Sequence, residues 1–76
     1  MSPEDRIVTL LSRWLARHLD NRRLHEEVEA VGRDGLSTQQ AEAVDELLAE
    51  LAHAAPADRG GVEMVVRETL EALALG

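Results

Sequence analysis

Apolar residues recur three and four positions apart along most of this chain, and they nowhere alternate with polar ones as a half-buried strand requires. Projected at about 100° per residue, Ile7, Val8, Leu10, Leu11, Trp14, Leu15 and Leu19 spread over half the circumference of one helix. Leu24, Val28 and Val31 mark a shorter second helix. Val44, Leu47, Leu48 and Leu51 form a single stripe opposite Glu42, Asp45, Glu46 and His53. Val62, Val65, Val66, Leu70 and Leu73 form a fourth, with Met64 and Leu75 on the other side of the same helix. The pattern predicts an all-α chain, a small four-helix bundle of three long helices and a shorter second one, built as a single domain over residues 1–76.

Local chemistry punctuates these stretches. Ser2-Pro3-Glu4-Asp5 places a capping hydroxyl, a proline suited to the first helical position and two acids in the first turn, which predicts a helix over residues 3–19. Asp20 or Asn21 interrupts it and caps a helix over residues 22–31, closed by Gly32. Ser37-Thr38-Gln39-Gln40 reads as a capping box, with Leu36 and Ala41 in the staple positions around it. The third helix reaches about residue 54 and must stop before Pro56, because the residue preceding a proline is driven out of the helical region. Asp58 is placed to cap the fourth helix, which runs to about residue 75, although Gly60 and Gly61 favour a start near Val62.

The wide apolar arc of the first helix implies a central position, or burial on two sides with a partner on one of them. Composition strengthens the second option. Trp14 is the only aromatic residue among 76, and twelve Leu, eleven Ala and seven Val make a core of modest side chains. A small core of this kind gains from oligomerisation.

Charge is sorted along the length. Residues 6–25 carry Arg6, Arg13, Arg17, Arg22 and Arg23 against Asp20 alone, and residues 26–52 carry eight carboxylates against Arg33 alone. Arg6, Arg13 and Arg17 fall in one narrow row at the edge of the apolar arc. Such a row suits docking on an acidic surface, while the plainer reading is a solvated face that balances acids of the same molecule. The net charge of −7 opposes binding to nucleic acid, including contact of the basic helix with DNA. No apolar run approaches a membrane span, no basic-then-apolar leader opens the chain, and cysteine is absent, so the expected setting is cytoplasmic.

Candidate chemistry is sparse. Glu50-x-x-His53 has the spacing used in di-iron helical bundles, where paired motifs project inward, but here both residues lie off the apolar stripe. His18, Asp20, His25 and Glu29 cluster loosely around the first turn without the three or four convergent ligands of a zinc site, and His18 falls on the apolar arc as a half-buried packing residue. The hydroxyls of Thr9, Ser12, Ser37, Thr38 and Thr69 are scattered, and Gly60-Gly61 follows no strand that would make a phosphate loop. No cofactor, metal or catalytic residue is assigned.

Gly32-Arg33-Asp34-Gly35-Leu36 resembles the G-x-D-S-L segment of acyl carrier proteins, and as in that family it precedes a long helix in a short four-helix chain. The resemblance covers five residues. It implies a carrier-like fold in which Gly35 stands where the family's serine bears the phosphopantetheine arm, so that only a docking role would remain. Gln39 and Asp45 also occupy positions where the family has aliphatic residues.

The expectation is a non-enzymatic helical interaction or regulatory module, self-associating as a homodimer or joined to a larger complex. Arg6, Arg13, Arg17, Met64 and Leu75 are its partner-binding residues. The rivals are the armless carrier-like docking protein and a metal-binding subunit using Glu50 and His53 across an interface.

Overall fold

Among the described residues four helices form where the capping signals place them, with two shifts of boundary. The computed structural model describes residues 2–76. Helix α1 (Pro3–Leu15) opens with the Ser2 hydroxyl accepting from the Asp5 N–H at 3.1 Å. It ends four residues before the expected boundary. The Arg17 N–H donates to Trp14 O and the His18 N–H to Arg13 O, a cap that needs a left-handed residue, and Arg17 supplies it at φ 65°. His18 is therefore exposed in the connection and not a packing residue of the helix.

Helix α2 (Asn21–Val31) starts with the Asp20 carboxylate accepting from the Arg23 N–H at 2.7 Å, and Gly32 caps its end with φ 78°. Helix α3 (Thr38–His53) has the full reciprocal capping box: the Gln40 N–H donates to Ser37 Oγ at 3.1 Å, and the Ser37 N–H donates to Gln40 Oε1 at 2.9 Å. Helix α4 (Gly60–Leu75) departs from expectation at its start. Asp58 does not cap it, and Arg59 occupies the cap position without a side-chain hydrogen bond to the helix. Gly60 and Gly61 are nevertheless helical, because tertiary bonds from the preceding loop fix where the helix begins.

The helices form a ring in which α1 packs on α2, α2 on α3, α3 on α4, and α4 back on α1, while the backbones of the diagonal pairs stand apart and α1 meets α3 through the Gln40–Glu4 side-chain hydrogen bond. Their short connections make each neighbour antiparallel. Ile7, Leu11, Trp14, Leu24, Val28, Val44, Leu47, Val62 and Val66 are fully buried at the centre. The radius of gyration is 11.0 Å, close to the ~11 Å expected of a globular chain this long. The arc of α1 is absorbed within the molecule. Its buried residues meet two neighbouring helices, and Val8, Leu15 and Leu19 lie half-buried against the same core. A partner is not needed to cover it.

A buried amide ties each end of the bundle. Asn21 Oδ1 accepts from Trp14 Nε1 at 2.8 Å, while Asn21 Nδ2 donates to the carbonyls of Ala55 (3.1 Å) and Asp58 (2.7 Å). Arg59 stacks 3.9 Å from the Trp14 ring centroid and donates to the Trp14 carbonyl. At the opposite end Gln40 Nε2 donates to Glu4 Oε2 (2.7 Å) and to the Leu73 carbonyl (3.2 Å). Every hydrogen-bonding group of these two amides is used, as burial demands.

Candidate interaction surface

Two of the predicted arginines flank a groove. Arg6 and Arg13 stand two helical turns apart on α1 and, with Thr9, Leu10, Glu27 and Val31, line a groove of about 170 Å³ along the α1/α2 seam. Leu10 and Val31 give it an apolar lining. Neither Arg6 nor Arg13 forms an ion pair among the described residues.

The rest of the basic segment is differently employed. Arg22 pairs with Glu26 at 3.1 Å and Arg23 with Glu27 at 3.0 Å, both one turn along α2. Arg17 leaves the row altogether, because α1 has ended before it and the left-handed cap redirects the chain.

The opposite seam is acidic. Glu68 and Glu71 on α4, with Gln39, Ala72 and Leu75, line a hollow of about 220 Å³ between α3 and α4, and none of its carboxylates has a cationic partner among the described residues. Glu42 and Glu46 are exposed on α3, while Asp45 is taken by Arg33 at 3.1 Å. Among the described residues, Met64 and Leu75 are the large apolar side chains left open, 67% and 74% exposed. Both lie on α4, and they are not one patch: eleven residues separate them, about 16 Å along the axis, with Arg67, Glu68 and Glu71 exposed between.

The five residues expected to bind a partner therefore do not form one surface. Arg6 and Arg13 open the α1/α2 seam, Leu75 lies at the α3/α4 seam across the ring, Met64 is outward on α4, and Arg17 is in a loop.

The other candidates are dispersed. Glu50 is half-buried and faces α4, its Oε1 3.4 Å from where a Cβ on Gly61 would stand, whereas His53 is exposed at the end of α3. Among the described residues no three His, Asp or Glu side chains converge as a metal site. His25 lines a further groove of about 350 Å³ with Asn21, Arg22, Glu26, Leu51, Ala52, Ala54 and Pro56. Gly35 has φ +89°, and a Cβ there would stand 3.4 Å from Pro3 Cγ. A serine at this position would adopt strained left-handed backbone against α1, so the loop is built for glycine.

Compared with known proteins, the chain matches no family model, no curated protein and no solved structure. The surface itself carries the functional argument.

Periodicity does not mark Asn21 or Arg59, the two residues that organise the Trp14 end. The available signal was indirect: a lone buried tryptophan needs an acceptor for its indole N–H, and Asn21 is a nearby amide.

Proposed function

We propose that this protein is a non-enzymatic helical interaction module that takes an acidic protein segment into the α1/α2 groove. The observation that carries the reading is the pair Arg6 and Arg13, which among the described residues have no ion-pair partners on a molecule of net charge −7 and stand beside apolar Leu10 and Val31. Guanidinium groups give an acidic segment direction as well as attraction, and the apolar lining contributes area.

The test is titration with a synthetic acidic helical peptide bearing one leucine face, followed by backbone amide shifts. Shifts are expected at Arg6, Thr9, Leu10, Arg13, Glu27 and Val31. They should weaken as salt rises from about 0.05 to 0.5 M and vanish in Arg6→Gln/Arg13→Gln. Shifts that map elsewhere, or that survive the double variant, would overturn the reading.

A further inference from the structure

The groove and the acidic hollow are complementary halves carried by one molecule. The groove presents Arg6 and Arg13 beside Leu10 and Val31, and the α3/α4 side presents Glu68 and Glu71 beside an exposed Leu75. Glu68, Glu71 and Leu75 occupy positions i, i+3 and i+7, one face of their helix.

From this, and resting on the reading of the groove as an acidic-segment site, we infer that the segment it takes belongs to a second copy of the chain. The exposed end of α4 lies in the α1/α2 groove of the next molecule, Leu75 against Leu10 and Val31, with Glu68 and Glu71 directed toward the arginine on one side of it. The net charge of −7 makes copies repel at a distance. At physiological ionic strength that repulsion is screened beyond about 8 Å, so the facing side chains decide the contact.

The polarity of the assembly follows from the fold. In the ring α1–α2–α3–α4 the α1/α2 seam lies opposite the α3/α4 seam. A two-fold axis brings a surface to itself and cannot join opposite sides of the same pair of molecules, so a two-fold homodimer does not use this pairing. The contact is head-to-tail and leaves one groove and one acidic side free for further copies.

Sedimentation of the whole chain tests this. Between about 10 and 500 μM, a range that brackets weak specific affinities, the average mass should rise past that of a dimer and fall again with added salt. Arg6→Gln/Arg13→Gln and Glu68→Gln/Glu71→Gln alter exposed residues and should each weaken association about tenfold or more while keeping the helical spectrum. Mixed one to one, they should form a pair that grows no further, since each retains the half that the other lacks. A wild-type chain that stays monomeric throughout, or a mixture that grows beyond two, overturns the inference. If the wild type is monomeric and the acidic peptide still shifts the groove amides, the second copy is the wrong occupant and the groove reading stands. If neither association occurs, both fall.

Discussion

At the scale of single residues, Asn21 does most to define this fold for its size. One amide satisfies the indole N–H of a fully buried Trp14 and binds the carbonyls of Ala55 and Asp58 in the loop before α4. Removing it leaves the buried indole N–H unpaired, at about 1–3 kcal/mol, and releases the loop as well. Asn21→Ala should therefore lower the urea midpoint sharply. Its effect should approach that of Trp14→Ala, for which loss of a buried aromatic costs ~3–5 kcal/mol. A midpoint within experimental error of wild type would show that water replaces the amide. Arg17 is the opposite case. It holds φ 65° in an exposed turn, where a side chain costs roughly 1–2 kcal/mol and glycine costs little. Arg17→Gly should stabilise the protein by up to about 1 kcal/mol, part of the relief being offset by the greater freedom of glycine in the unfolded chain. A destabilised variant would mean that the Arg17 side chain makes a contribution its exposure does not reveal.

At the scale of elements, the starts of α1, α2 and α3 were legible because a side chain within three residues makes each cap. The two boundaries that moved have different causes. Helix α1 is closed locally by a left-handed cap at Arg17, a residue type that does not announce such a cap, whereas α4 starts where Asn21 and Arg59 hold the loop against Trp14. The second leaves no trace in local propensity. The third helix shows both regimes in one motif. Ser37→Ala removes only the local half of the capping box and should cost about 0.5–2 kcal/mol. Gln40→Ala should cost more, because the same side chain also binds Glu4 and the last turn of α4. Thermal unfolding of the two variants checks the order. Equal losses would reduce Gln40 to a local cap.

At the scale of the whole molecule, the sorting of charge along the sequence was legible, but its arrangement in space was not. Arg22 and Arg23 belong to the basic segment by sequence, yet each is neutralised by a glutamate one turn away. Glu68 and Glu71 lie outside the acidic segment, yet they share the acidic seam with Gln39 of α3. Only the ring order of the helices assigns these residues to sides. That order also gives salt two effects of opposite sign. Within one molecule of charge −7, exposed like charges such as Glu42 with Glu46 and Glu68 with Glu71 repel, whereas the i,i+4 pairs that screening also weakens contribute only about 0.3–0.5 kcal/mol each. Screening should therefore favour the folded monomer. In dilute solution, raising sodium chloride from about 0.02 to 0.5 M should raise the melting temperature by several degrees, since ~1 kcal/mol corresponds to about 4–8 °C in a domain of this size. In concentrated solution association also stabilises the fold by mass action, and salt removes that contribution. The salt-induced gain should therefore shrink as protein concentration rises, and it should be restored in full by Arg6→Gln/Arg13→Gln. A gain independent of concentration would separate the charge of the molecule from its assembly and leave the groove without a role in either.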